Sequence, residues 1–156
     1  MKGVLALKKK VVGYTAGVYD MFHIGHLNIL KRAKEQCDYL IVAVSTDSLV
    51  EAEKNKTPVI PFEQRCEIVS AIRYVDEVVP QTDKNKFSAW EKYKFDKMFV
   101  GSDWKDTPQW INYEKQFAST GVEFVYLPHT DCISSSALTV VLTEILDESA
   151  ERNPDS

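Results

Sequence analysis

Cysteine is scarce in this chain and poorly spaced for a cross-link or a metal site. Cys37, Cys66 and Cys132 are odd in number and far apart. No C-x-x-C pair occurs, which removes the usual zinc and thiol-redox spacings. Free thiols in a reducing compartment are expected. Long apolar runs are missing as well. The opening M-K-G-V-L-A-L-K-K-K has too short an apolar stretch for a signal peptide or a membrane span. A cytoplasmic protein with no membrane partner is expected. There is no excess of positive charge either: the formal net charge is -4. That argues against a nucleic-acid partner, which favours a basic face. Local lysine clusters still suit a small anionic ligand. Histidine is the most telling scarcity. The chain has 3, and two of them, His23 and His26, fall inside Gly13–Ala33.

What is present describes an ordinary globular domain. At 156 residues the chain reads as a single domain, 1–156, by the usual length prior. A chain of this length buries roughly two-thirds of its unfolded surface without staples. Strand and helix patterns alternate along it. Val11–Ala16 reads as a first strand ending at Gly17, and a helix follows from about His26 to Gln36. Tyr39–Ser45 is a continuous apolar run, as expected of a strand buried on both faces. Glu51–Pro61 reads as a polar loop, and Phe62–Tyr74 as a helix with Pro61 at its start. Asp76–Pro80 holds a short strand, and Ser88–Tyr93 a short helix. Lys97–Val100 is a fourth strand, Pro108–Ser119 a helix and Val122–Leu127 a fifth strand. Pro128–Ser136 is a polar turn before a last helix marked by Leu138, Val141, Leu142 and Ile145. From Asp147 the chain is polar and charged and reads as fraying, with 149–156 as tail. The pattern specifies an α/β fold: a doubly wound, parallel, five-stranded sheet. Ligands in such folds bind beyond the carboxyl ends of the strands, where the strand order reverses.

His23 and His26 lie three apart around Gly25, on the same side of a helix start. Gly25 removes a side chain where a phosphate needs close backbone approach. The helix N-terminus adds N–H groups and partial positive charge. Two imidazoles and that terminus make a seat for a phosphate chain. Two other readings stay open: structural histidines bonding loop carbonyls, and a metal site, for which no further ligand is suitably spaced.

These residues carry a family resemblance. G-V-Y-D-M-F-H-I-G-H-L-N-I-L-K-R-A-K resembles the signature of the cytidylyltransferases, with the G-x-[FY]-D and H-x-G-H elements of the wider nucleotidyltransferase superfamily. D-Y-L-I-V-A-V-S-T-D, E-Q-R, I-R-Y-V-D-E-V-V-P and G-S-D-W come next in order, and H-T-D-C-I-S-S-S resembles the family's R-T-E-G-I-S-[ST]-[ST]. The similarity runs from about Val11 to Leu142. The short single-domain form is most similar to the bacterial glycerol-3-phosphate cytidylyltransferases; choline- and ethanolamine-phosphate enzymes share the motifs.

The resemblance implies a Rossmann-like nucleotidyltransferase fold and transfer of CMP from CTP to a phosphoalcohol. It implies magnesium with the nucleotide and a homodimer, the R-Y-V-D-E-V segment being associated with a dimer contact. Gly17, Val18 and Tyr19 would lie beside the nucleotide, and His23, Gly25 and His26 at its triphosphate. Lys54 would face the phosphoalcohol and Lys56 the CTP. Arg65 would join His23, His26 and Lys56 in catalysis, holding the two anions together. Arg73 and Lys86 would bind the acceptor. Asp103, His129, Thr130, Ile133, Ser134, Ser135 and Ser136 would complete the nucleotide site. Ser134 is also an N-cap candidate. Each lysine also reads as a plain solvated charge, Arg73 as a structural residue, and Asp20 as a residue that orients the turn.

Two departures stand out. His129 replaces an arginine, exchanging a permanent fork for a titrating ring with at most two donors. Asp131-Cys132 replaces Glu-Gly, adding a side chain where glycine permits unusual angles. Both bear on the grip on CTP and on base choice. Two alternatives remain open: an adenylyltransferase of the same superfamily, acting for example on a flavin phosphate, and a nucleotide-binding module without turnover.

Overall fold

The run Tyr39–Ser45 forms the strand that organises the layers. The computed structural model describes residues 9–130 and 134–152. Five strands carry the fold: β1 (Val12–Gly17), β2 (Tyr39–Ser45), β3 (Glu77–Gln81), β4 (Lys97–Gly101) and β5 (Glu123–Leu127). All neighbours pair in parallel, in the order β3-β2-β1-β4-β5. Along β2, Leu40, Val42 and Val44 face one core while Ile41 and Ala43 face the other. This is the period-two alternation of a strand covered on both faces.

Six α-helices complete the described fold. They are α1 (Ile24–Glu35), α2 (Asp47–Lys54), α3 (Phe62–Ser70), α4 (Lys86–Tyr93), α5 (Pro108–Gln116) and α6 (Ser135–Arg152), and one 3-10 turn spans Ser102–Trp104. Leu30 and Ala33 of α1 and Val69 of α3 pack against one face of the sheet. Phe87 and Trp90 of α4 and Trp110 of α5 pack against the other, around Phe95 and Phe117. The sheet is therefore doubly wound. Strand order reverses between β1 and β4, which opens a crevice past Gly17 and Gly101. Pro80 sits in the edge strand, where a missing N–H is tolerated. No helix among the described residues is long and apolar enough to cross a membrane.

Several boundaries differ from the sequence reading for physical reasons. The polar segment from Glu51 conceals the end of α2. Its Thr46 cap accepts from Leu49 N–H, and it buries a single residue, Val50, so it leaves little hydrophobic pattern. Helix α1 begins before His26, because His23 itself is the N-cap. Helix α3 stops at Ser70, although Ile72 and Val75 continue an apolar pattern. Those two residues pack against the core from the turns that lead to β3. Helix α6 does not fray at Asp147 but continues to Arg152.

Arg65 is the largest fully buried side chain, with 1% of its surface exposed. Its guanidinium joins four segments. Nε donates to Ile60 O at 2.8 Å, Nη1 to Val18 O at 2.6 Å and to Ser45 O at 2.8 Å, and Nη2 to Asp47 Oδ1 at 2.6 Å. The ends of β1 and β2 and the starts of α2 and α3 are thus held by one cation. This corrects the expectation that Arg65 is catalytic. Its donors are spent on protein acceptors, and its side chain is sealed from solvent. It is a positioning residue beneath the site. Arg65→Met is expected to lower unfolding stability by about 3 kcal/mol or more, because three carbonyls and a carboxylate lose their donor. Urea unfolding measures this. An unchanged midpoint in a variant that has lost activity would return Arg65 to the reacting groups.

Candidate active site

The turn after β1 is built from backbone that few residues adopt freely. Tyr19 and Met21 both have positive φ, 55° and 46°. This left-handed pair lets the chain reverse directly into α1. Asp20, between them, is fully engaged. Its Oδ2 accepts from Val59 N–H at 2.8 Å, its Oδ1 from Ile60 N–H at 2.9 Å, and its carbonyl from Ser135 Oγ at 2.6 Å. Asp20 therefore ties the turn to the segment before α3 and to the start of α6.

The two histidines form a reciprocal cap at the N-terminus of α1. His23 Nδ1 accepts from Gly25 N–H at 3.0 Å, and His26 Nδ1 accepts from His23 N–H at 3.2 Å. The rings stack with centroids 3.9 Å apart. Since each Nδ1 accepts, the proton of each neutral ring lies on Nε2. Neither Nε2 has a protein partner among the described residues. Two imidazole N–H donors thus stand beside the free N–H groups of the helix. Tyr19 and Phe22 wall His26, with ring centroids 5.4 and 5.3 Å away. Burial, then the neighbouring His23 ring, lowers the His26 pKa to about 4. Burial, then His129, lowers that of His23. Burial pushes the Tyr19 hydroxyl up to about 12, so the wall is uncharged. A Cβ on Gly25 would lie 2.8 Å from His23 Cε1, so any side chain there displaces the ring.

The segment after β5 covers this seat. Asn28 Nδ2 donates to Thr130 Oγ1 at 3.1 Å, and Arg32 Nη1 to Pro128 O at 3.2 Å, so α1 holds the segment down. His129 Nδ1 lies 3.6 Å from Asp103 Oδ2, bridging the turns after β5 and β4, with both side chains well exposed. Ser134 caps α6 through Ala137 N–H at 3.1 Å. Ser135 anchors to the β1 turn, and Ser136 is exposed. Ile133, and with it Asp131 and Cys132, lies outside the described residues. Val18 contributes its carbonyl to Arg65 rather than a side-chain contact.

The lysines stand on the neighbouring side, past β2 and β3. Lys54 ends α2, Lys56 comes just after its left-handed Asn55 cap, and Lys86 begins α4. Burial, then Lys56 and Lys84, lowers the Lys54 pKa, while Asp20 opposes this. Burial, then Lys84, lowers that of Lys86 to about 8. Lys54 thus feels Lys84 and Asp20 of the β1 turn, and Lys86 feels the same Lys84. Arg73 does not join them. It is exposed in the turns before β3, at the amino edge of the parallel sheet, opposite the histidines. This corrects its reading as an acceptor residue of this chain's own site.

Sequence reading missed Asn28, Arg32 and Asp47, which hold the segments that carry the expected groups. Their only signal was polarity at positions facing the site, which a solvated surface would share. Among the described residues no group of three or more His, Cys, Asp or Glu is arranged to hold a metal ion. The site offers N–H donors and cations, and so suits a polyanion.

Comparison with known proteins agrees with this geometry. Residues 14–140 match the family model described as "Cytidylyltransferase-like". The chain is 37% identical over 131 residues to a glycerol-3-phosphate cytidylyltransferase of Bacillus spizizenii, covering 83% of this chain and 94% of that protein. It is 32% identical over 145 residues to an FAD synthase of Pyrococcus abyssi, covering 90% and 98%. In structure it resembles a lipopolysaccharide core biosynthesis protein from Thermoplasma volcanium, with a TM-score of 0.68 and 24% identity over 79% of this chain and all of that one. That neighbour bears on fold alone and agrees with the doubly wound parallel α/β sheet. With a reciprocal histidine cap at the switch point and a family match spanning both site segments, the chain belongs to the cytidylyltransferase-like family.

Proposed function

We propose that the protein transfers CMP from CTP to a phosphoalcohol, giving a CDP-alcohol and pyrophosphate, with glycerol 3-phosphate as acceptor. The observation that carries this reading is the paired cap, which presents two Nε2–H donors at a helix N-terminus. A phosphate monoester has its second pKa at about 6, so the attacking oxygen is already ionised at neutral pH. That oxygen attacks the α-phosphorus, and the bond from phosphorus to the bridging oxygen of pyrophosphate breaks. No general base is needed. His23 and His26 donate to phosphoryl oxygens as charge moves toward the leaving group. Lys54, Lys56 and Lys86 hold the acceptor against its repulsion from the triphosphate. Ser134 and Ser136, at the start of α6, suit the terminal phosphates, as do Thr130 and His129.

Magnesium fits this reading as the counter-ion of the nucleotide. Asp20 has both carboxylate oxygens engaged by backbone N–H groups, and the described residues form no cage. The ion would arrive on the triphosphate oxygens as part of the substrate. The half-buried thiols Cys37 and Cys66 are free, in keeping with a cytoplasmic setting.

The aromatic residues support glycerol 3-phosphate as the acceptor. Trp90 packs on Phe117, Tyr93 stacks on Tyr14, and Trp110 is 7% exposed. Only Trp104 of this group stands in solvent. A choline headgroup needs several aromatic faces, whereas glycerol 3-phosphate needs a polar seat. The glycerol-3-phosphate cytidylyltransferases among its relatives support the same choice. A second reading, adenylyl transfer to a flavin phosphate, draws on the FAD synthase match. A pyrophosphate-release screen decides between them, pairing CTP or ATP with glycerol 3-phosphate, other polyol phosphates, phosphocholine, phosphoethanolamine and flavin phosphate. Turnover is expected with CTP and glycerol 3-phosphate. Turnover confined to ATP would reject the cytidylyl assignment, and CTP binding with no release from any acceptor would leave a non-catalytic module.

A homodimer belongs to this reading. The open edge at β3 lies beside a groove of about 360 Å³ lined by Phe62, Cys66, Val78 and Pro80, and the nearby Ile68 of α3 is 39% exposed. A second copy would cover that apolar edge. Light scattering in solution is expected to give twice the chain mass; a monomer at assay concentration would remove the dimer.

His26 gives the sharpest kinetic and pH expectations. His26→Ala is expected to lower kcat about 100-fold while moving KM for CTP much less. An unchanged kcat would take the ring out of the transition state. Its folded pKa, about 4, lies below the ordinary 6.5. Between those values the unfolded chain binds the extra proton, so stability rises with pH there. The ligand-free protein is therefore expected to hold its full His26 contribution above about pH 6.5 and lose it on acidification toward pH 4. Thermal unfolding across that window measures the loss, which should be absent from the alanine variant.

A further inference from the structure

Lys84 and Glu53 have no part in the site described so far, yet they join the two segments that carry the acceptor lysines. Glu53 lies in the last turn of α2, next to Lys54. Lys84 lies in the segment between β3 and α4, two residues before Lys86. Lys84 Nζ meets Glu53 Oε2 at 3.1 Å. Lys84 is held from the other side as well, its carbonyl accepting from Tyr113 Oη of α5 at 3.1 Å. Asn85 then caps α4 by accepting from Ser88 N–H at 3.1 Å, and its own N–H donates to Asp83 Oδ1 at 2.8 Å.

Packing leaves this joint with more than its usual weight. Helix α2 buries only Val50, whereas Phe87, Ala89, Trp90 and Tyr93 pack α4 against the core. The core therefore holds the start of α4 but leaves the end of α2, and with it Lys54, lightly fixed. Among the described residues, the Glu53–Lys84 pair is the one ion pair that links the last turn of α2 to another segment. Lys84 also acts electrostatically on both Lys54 and Lys86. A cation inserted between two others is electrostatically unfavourable unless it is anchored, and Glu53 anchors it.

We infer that the Glu53–Lys84 pair is a clasp that sets the spacing of Lys54 and Lys86 for a dianionic phosphate ester, making both partners positioning residues of the acceptor site. The inference rests on the proposed function for the identity of the ligand.

The sign of one substitution separates a clasp from a simple charge effect. Removing Glu53's negative charge would tighten phosphate binding if Glu53 only diluted the field of the lysines. It weakens binding if Glu53 holds the geometry. The test uses the full chain, with Glu53→Gln, Lys84→Met and the exchanged pair Glu53→Lys with Lys84→Glu. Inorganic phosphate is titrated and monitored at the backbone amide resonances of Asn55 and Lys86, which reports this site without turnover. KM values for glycerol 3-phosphate and for CTP are measured in parallel.

Each single variant is expected to weaken phosphate binding and raise the acceptor KM about three- to fivefold, the scale of one exposed ion pair. KM for CTP should stay within error, and the exchanged pair should recover most of the loss. Tighter binding in Glu53→Gln would overturn the clasp, as would an unaffected Lys84→Met. A loss that the exchanged pair does not recover would make Lys84 a direct cationic ligand instead, and a wild-type chain showing no phosphate shift at Asn55 or Lys86 would remove the acceptor site from these lysines. Intact clasp behaviour without CMP transfer would sink the proposed reaction while leaving the clasp standing.

Discussion

Two hydrogen bonds at the start of α1 determine what the site offers a ligand. Gly25 N–H donates to His23 Nδ1, and His23 N–H donates to His26 Nδ1. Helix caps are usually Ser, Thr, Asp or Asn, whose oxygens accept and do little else. An imidazole used in the same way accepts through one nitrogen and keeps a donor on the other. The cap therefore fixes the tautomer, and the tautomer supplies the N–H groups. Protonating either Nδ1 would break the cap, and the positive end of the helix disfavours an imidazolium beside it. Both effects act in the same direction as burial, which already keeps His26 neutral. An anion seated on the helix N-terminus reverses the second effect, so the site's electrostatics respond to the ligand it is shaped to hold.

Such a cap needs rigid surroundings, and these come from groups that never face the ligand. Tyr19 and Met21 hold positive φ angles that unsupported residues avoid. Asp20 restrains them through both carboxylate oxygens and its carbonyl. Arg65 sits beneath, drawing in the carbonyl of Val18 just ahead of the turn. Its permanent charge lies where solvent does not reach, and its acceptors surround it. The lysines and His129 stand at the rim. Charge is therefore layered: one fixed cation below organises the backbone, neutral rings occupy the middle, and the lysines stand at the mouth.

The layers and the histidine seat were legible in the sequence because each rests on a local pattern. Y-L-I-V-A-V-S needs no partner information to read as a strand covered on both faces, and H-I-G-H marks its own helix start. What escaped depends on tertiary bonds. Arg65 belongs to an ordered motif, and a motif does not say whether a guanidinium turns outward or inward; the carbonyls of Val18, Ser45 and Ile60 decide that. Arg73 belongs to the next motif, I-R-Y-V-D-E-V-V-P, and sits past the end of α3, on the edge of the sheet away from the site. An apolar pattern continuing through Ile72 and Val75 made that helix look longer than it is. Helix α2 escaped for the opposite reason, since one buried valine leaves no stripe. Asn28 and Arg32 looked like solvated helix residues, and only the return of the segment after β5 gives them partners.

Topology also separates the parts of the proposed reaction. The seat for the triphosphate is assembled past the carboxyl ends of β1 and β5, from the cap of α1 and the start of α6. The acceptor lysines stand past the ends of β2 and β3, on helices that bury little. The turn after β4, which lies between β1 and β5, adds Asp103, which meets His129 on the triphosphate side. In the proposed reaction, α1, which buries Leu30 and Ala33, carries the step common to phosphoryl transfer, and α2, which buries only Val50, carries contacts to the acceptor. Lightly packed segments tolerate change at little cost to the core. On this view, a chain can resemble both glycerol-3-phosphate cytidylyltransferases and an FAD synthase over most of its length without ambiguity in its central reaction. Under the proposed function, the histidine cap serves the common step, and the lysines at the end of α2 and the start of α4 choose the acceptor.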